Sequence, residues 1–403
     1  MNIKTVDLVY FNAGGGHRAA ALALERVIHQ QQRPWQVRLV NLMDVLDSDG
    51  LFKKVTGSAP EDFYNKRLAR GWTLGMTQEL KLLQGMIRLT HATLVKRLQQ
   101  HWLRVDEVEP DLVVSLVPNF NRALCESVQS ALPGVPFVTV MTDIADLPPH
   151  FWIEPGPQSD QSPRQTQHLV CGSSRAVDQA LAAGHERSHI TLTSGMILRP
   201  EFHRPLNIDR AAERLALGLD PDRPTGVLMF GGVGSAQMAR ISQALADVQL
   251  IVLCGRNETL ASSVRAQTGV APRAVLGFTS EVCRYLALGD FFIGKPGPGS
   301  LSEALQMGLP VITFDNAWTM PQERYNAQWI REMGLGLVLK SRRGLPAAAQ
   351  ALIADLPVYR QAVSRVKNSA VFESVEVFDQ LLRQADRPQT PGDRSAALAS
   401  ARD

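Results

Sequence analysis

Short, nearly all-apolar runs alternate along this chain with longer amphipathic stretches. Residues 6–11, 37–42, 112–117, 137–141 and 169–171 read as strands in the first half. Residues 227–230, 250–254, 291–293, 311–314 and 337–339 do so in the second. Such runs suit strands buried on both faces, and helices between them imply parallel sheets covered on both sides. The expectation is an α/β chain of two doubly wound, Rossmann-like domains. Between the halves, Arg199-Pro-Glu-Phe-His-Arg-Pro205 reads as an extended linker, because a residue before proline avoids the helical region. This places one domain at 1–198, a linker at 199–210, a second domain at 211–384 and a disordered tail at 385–403. A polar, proline-interrupted loop is expected at 158–167.

Composition narrows the class. A chain of 403 residues exceeds one ordinary α/β core, and 45% hydrophobic with 20% charged residues is that of a soluble globular protein. No apolar run approaches the roughly 18 to 20 residues of a spanning helix, and the strand-like start lacks the features of a signal peptide. Cys125, Cys171, Cys254 and Cys283 are scattered, as expected of reduced core residues in a cytoplasmic protein. The net charge of +3 excludes little, but residues 50–105 are basic. Lys53, Lys54, Arg67, Arg70, Lys81, Arg88 and their neighbours are interleaved there with Phe52, Trp72, Leu82, Met86 and Trp102. Two readings stand: a helix pair packed on a domain, or a surface for anionic membranes.

Chemistry is carried by glycine-rich turns after strands. Each half opens alike, with Gly14-Gly15-Gly16-His17 after the first run and Gly231-Gly232-Val233-Gly234-Ser235 after its counterpart. A third turn, Gly294-Lys295-Pro-Gly297-Pro-Gly299-Ser300, enters a helix bearing Glu303. Such turns aim backbone N–H groups at an anion from the carboxyl edge of a parallel sheet. None is a strict GxGxxG or a P-loop, which lowers hydride transfer and ATP hydrolysis as readings. Ser300 is expected to cap its helix, Glu303 to accept from ribose hydroxyls, and Lys295 is a candidate cation. His17, at a helix start, is the candidate general base, kept neutral by the helix dipole. Asp143 follows a buried run and is a candidate to orient it. Asp47-Ser-Asp49 and Asp220-Pro-Asp222 sit in turn-like sequence and are set aside as metal sites, as are His185 and His189.

The order of Gly14–Ala20, Thr142-Asp143, the Gly231–Ser235 turn, Gly297-Pro-Gly-Ser-Leu-Ser-Glu303 and Pro321-Gln-Glu-Arg-Tyr-Asn326 resembles that of GT-B glycosyltransferases. Within that fold the chain is most similar to monogalactosyl- and glucosyl-diacylglycerol synthases, and more distantly to MurG. The resemblance implies two doubly wound domains with an interdomain cleft, a UDP-sugar donor and a lipid acceptor such as diacylglycerol. It also implies inverting transfer, no metal or other cofactor, and a cytoplasmic enzyme peripheral to the inner face of the membrane, with no nucleic-acid partner. By the same resemblance Glu303 binds ribose, Gln322, Glu323 and Asn326 contact donor sugar or phosphate, and Phe278 lies near the base. Two alternatives remain at this level: a nucleotide-sugar 2-epimerase, and a nucleotide-sugar-binding protein that has lost transfer.

Overall fold

The computed structural model describes residues 3–12, 15–47, 76–104, 108–155, 167–232, 234–317 and 319–385. The chain divides into two compact units. One is built on residues up to Arg199 together with the segment from Ser369, the other on Pro200–Asn368.

The first unit holds a six-stranded sheet: β1 (Lys4–Tyr10), β2 (Trp35–Asn41), β3 (Leu112–Ser115), β4 (Phe137–Val140), β5 (Gln167–Cys171) and β6 (Ile190–Leu192). The order is β2-β1-β3-β4-β5-β6, and every pairing is parallel. Alternation along β1 divides the core. Val6 and Leu8 face a cluster with Leu24, Ile28, Val114 and Leu116, while Val9 faces one with Leu98, Trp102, Val113 and Leu124. Asp7 is fully buried between them in sequence and is matched by Arg38, whose Nε and Nη2 donate to its two oxygens at 2.6 and 2.8 Å.

The second unit repeats the design with β7 (Thr225–Met229), β8 (Gln249–Leu253), β9 (Arg273–Leu276), β10 (Phe291–Ile293), β11 (Val311–Phe314) and β12 (Gly336–Leu339). Its order is β12-β11-β10-β7-β8-β9, again all parallel. In both sheets the winding reverses beside the opening strand, between β1 and β3 and between β7 and β10. A doubly wound sheet binds ligands outside the carboxyl ends of its strands at such a reversal.

Three expectations are corrected. The edge strands β6 and β9 were not anticipated; both are short and only partly buried, so neither forms a long apolar run. Residues 199–205 are not an extended linker: Pro200–His203 forms a 3-10 turn with Phe202 buried, and Gln306 donates to the Phe202 carbonyl at 3.4 Å. The second unit ends at Asn368 instead of 384. The helix Ala370–Ala385 packs Val371, Val375, Phe378 and Leu382 into the core of the first unit. Glu373 fastens it there, accepting from the Ser194 N–H and hydroxyl, both at 2.7 Å.

The tail beyond Ala385, residues 158–166 of the expected polar loop, residues 50–75 and 105 of the basic segment, and Ser48 and Asp49 lie outside the described residues. Gln167, the last residue of that loop, opens β5. The rest of the basic segment forms two helices, Met76–Leu89 and His91–Trp102. The second buries Leu98 and Trp102, whereas the first leaves Leu82, Met86 and Leu89 exposed. No helix among the described residues is long and apolar enough to cross a membrane.

Candidate functional site

In the first unit β1 gives way to a turn whose Gly15 adopts φ 80°, a conformation that disfavours any side chain. Gly16 begins the helix Gly16–Gln30, and Gly14 lies outside the described residues. His17 is therefore on the first helical turn. Burial of Ala20, Ala21, Leu24, Val27 and Ile28 on the inner stripe fixes how that helix sits on the sheet. The imidazole Nδ1 is 3.1 Å from the Thr142 hydroxyl. The rings of Phe11 and Trp152 flank it at centroid distances of 6.3 and 5.9 Å.

Burial lowers the His17 pKa to about 4, against the opposing pull of the Leu116 carbonyl, which accepts a hydrogen bond from the ring. The ring is accordingly neutral at pH 7, and burial is the leading cause. A neutral imidazole has one N–H and one lone pair, so the nitrogen not bonded to the carbonyl is the basic one.

Asp143 is buried and its Oδ2 accepts from the Trp152 indole N–H at 2.8 Å. It thereby fixes the ring that lies tilted beside His17, while Thr142 makes the direct side-chain contact. The loop carrying Trp152 is itself secured. Asp146 accepts from the backbone N–H groups of Trp152 and His150 at 2.6 and 2.9 Å, and Asn121 donates to the Trp152 carbonyl at 3.1 Å. Sequence reasoning selected Asp143 but neither Thr142 nor Trp152 as site side chains. Adjacency to Asp143 was the available signal for Thr142; Trp152 had none.

In the second unit the Gly231–Ser235 turn is pressed against the loop after β8. Gly231 and Gly234 have φ of 75° and 66°, and a Cβ on Gly234 would lie 2.6 Å from the Cys254 carbonyl oxygen. Gly232 is exposed, and Ser235 accepts from the Gln237 N–H at 3.3 Å, where the following helix begins. Beyond β10, Gly297 is the N-cap of the helix Pro298–Gln306, with proline at its first position. Proline is favoured there because its missing N–H would have had no intrahelical partner. Ser300 is not the cap: it lies within the first turn, and its hydroxyl donates at 3.4 Å to the Gly297 carbonyl. Gly299 and Ser300 precede the first intrahelical bond, from the Leu301 N–H to the Gly297 carbonyl at 3.1 Å, and N–H groups at that position are the ones a helix start offers to an anion. Glu303 follows one turn later, half-buried.

Lys295 donates to Glu323 Oε1 at 2.8 Å, and Glu323 is only 3% exposed. A Cβ on Gly297 would stand 3.4 Å from that carboxylate oxygen, from Lys295 Cε and from Ser300 Oγ, so these groups converge on one turn. Asn326 donates to the Pro296 carbonyl at 2.8 Å. Its Oδ1 and Gln322 Oε1 are buried without a hydrogen-bond partner among the described residues. A buried polar atom left unpaired costs about 1–3 kcal/mol, so two such acceptors beside one turn suit a hydroxyl-rich ligand. Phe278, after β9, is exposed and carries the Arg256 guanidinium 4.6 Å from its ring centroid; Arg256 was not singled out from sequence.

No group of three or more metal-ligating side chains occurs among the described residues. Asp220 and Asp222 form a turn entering β7, at the edge opposite the glycine loops.

No family profile matches the chain. Over most of its length it is similar to monogalactosyldiacylglycerol synthases. It is 28% identical over 371 residues to the probable synthase 2 of Oryza sativa subsp. japonica, covering 84% of this chain and 71% of that one. It is 27% identical over 421 residues to synthase 1 of Arabidopsis thaliana, covering 94% and 72%. Among solved structures, MurG of Acinetobacter baumannii superposes with a TM-score of 0.56 at 14% identity, covering 94% of this chain and 99% of that one. UGT71G1 of Medicago truncatula, solved with UDP-glucose, gives 0.57 at 14% identity, covering 94% and 98%. The fold is that of the GT-B glycosyltransferases.

Proposed function

We propose that this hexosyltransferase of the GT-B fold moves a hexose from a UDP-sugar to a hydroxyl of a lipid such as diacylglycerol, with inversion and without a metal or other cofactor. The observation that carries the reading is His17, a neutral imidazole held by Thr142 and Leu116 after the first glycine turn. Similarity to diacylglycerol-glycosylating enzymes supports the acceptor class. In the reaction, the acceptor O–H gives its proton to the basic nitrogen of His17, and its oxygen attacks the anomeric carbon. The bond from that carbon to the diphosphate oxygen breaks on the opposite face, and UDP leaves with the electron pair. Backbone N–H groups of the Gly231–Ser235 turn and of Gly299 and Ser300 receive the charge that develops on the diphosphate, which is why no metal is invoked. Glu303 would take the ribose hydroxyls, Gln322 and Asn326 the sugar hydroxyls, and Phe278 the base. The exposed apolar and basic face of the helix Met76–Leu89 would hold the enzyme on the inner face of the cytoplasmic membrane.

Purified protein is incubated with radiolabelled UDP-galactose, UDP-glucose or UDP-N-acetylglucosamine, with and without diacylglycerol vesicles. Label moving into the lipid fraction from one donor, only when lipid is present, is the expected result. An acceptor-independent change of UDP-N-acetylglucosamine into its epimer would establish the isomerase instead. Binding of donor with no product of either kind would leave a sensor.

A further inference from the structure

We propose that Arg256 is a further donor-site residue that grips the diphosphate, with Phe278 as the platform that holds its guanidinium in position; this rests on the nucleotide-sugar reading above. Arg256 follows β8 at the carboxyl edge of the second sheet, and its backbone N–H donates to the Gly232 carbonyl at 3.3 Å. The preceding residue, Gly255, approaches the same carbonyl so closely that a Cβ would come within 2.2 Å of its oxygen, at φ 59°. The root of the Arg256 side chain is thus pinned against the phosphate-type loop. Its far end is stacked on Phe278, whose ring is 62% exposed.

Charge accounting at this edge singles the arginine out. Lys295 already faces Glu323 at 2.8 Å, so its charge is matched within the protein. Arg256 meets an aromatic face and no carboxylate among the described residues. The donor's diphosphate is anionic and gains further negative charge as the sugar bond breaks, whereas the glycine-loop N–H groups are neutral. A guanidinium fork supplies paired, charge-assisted hydrogen bonds to phosphate oxygens, and stacking on an aromatic ring reduces the side-chain freedom lost when it does so.

Calorimetry on the full chain tests this with UDP, UMP and uridine against wild type, Arg256→Ala, Arg256→Lys and Phe278→Leu. Both side chains are on the surface, and unchanged thermal unfolding verifies that each variant is folded. Arg256→Ala is expected to weaken UDP about 10- to 100-fold, the range of a lost charge-assisted contact, and to leave uridine unchanged. Arg256→Lys should restore part of the loss, and Phe278→Leu, which removes a ring also assigned to the base, should weaken UDP by a larger factor than uridine with Arg256 intact. Equal losses for uridine and UDP would place Arg256 on the base and overturn the proposal, as would unchanged UDP affinity in Arg256→Ala. A wild-type chain that binds no UDP would refute the nucleotide-sugar reading itself, and this assignment with it.

Discussion

His17 is where one residue's surroundings set the chemistry. Its pKa is lowered to about 4 from an ordinary 6.5, chiefly by burial, so it gains a proton only well below neutrality. The acid limb of kcat/KM for a reaction using it as base should accordingly fall near pH 4, with little change between pH 5 and 7. A limb near 6.5 in a pH–rate profile would show that another group is titrating. The sign for stability follows from the same shift. In the unfolded chain the histidine binds a proton below about 6.5, so its contribution is complete above that pH and is lost as pH falls toward 4. Replacement by alanine should lower turnover by about two to four orders of magnitude while UDP affinity, measured by calorimetry, is retained.

At the scale of elements, the loops after β7 and β8 hold each other in place. Gly255→Ala combines a left-handed φ of 59° with a Cβ placed 2.2 Å from the Gly232 carbonyl oxygen. Strain of that kind costs on the order of 1–3 kcal/mol before any backbone shift. Chemical denaturation should record a loss at least that large, accompanied by weaker UDP binding because the Gly231–Ser235 turn is displaced.

The helix Met76–Leu89 makes a different prediction. Leu82, Met86 and Leu89 are 66, 53 and 88% exposed and lie on one stripe, with Lys81 and Arg88 beside them. Sedimentation with anionic vesicles should be strong at low salt, weak with neutral vesicles and weakened by salt, because each basic side chain near such a surface contributes about 1 kcal/mol and is screened. Changing the three apolar residues to serine should reduce vesicle binding without altering UDP affinity. Equal sedimentation of wild type and triple variant would remove this helix from the membrane surface.

For the whole molecule, the chain's return is decisive. The helix Ala370–Ala385 follows the second unit in sequence but completes the core of the first, burying Val371, Val375, Phe378 and Leu382. At about 1.5–3 kcal/mol for each fully buried side chain, their loss is comparable to the roughly 5–15 kcal/mol that stabilises a domain. Truncation after Asn368 should therefore unfold the first unit, seen as loss of a calorimetric transition and of all transfer, while the second unit keeps its own transition.

The strand runs were legible because both faces of each parallel sheet are covered, so apolar residues are contiguous in β3, β8 and β10. The glycine turns were legible because left-handed φ disfavours a side chain at Gly15, Gly231 and Gly234. Edge strands β6 and β9 lacked that signature. The amphipathic pattern of Ala370–Ala385 demanded a partner for its apolar stripe, but periodicity specifies a face and not the surface that will cover it. Nor could local pattern join His17 to Thr142, which lie 125 residues apart, or set Trp152 beside the imidazole. Those neighbours, and the desolvation that makes His17 a neutral base, arise only when packing brings distant loops to the carboxyl edge of one sheet.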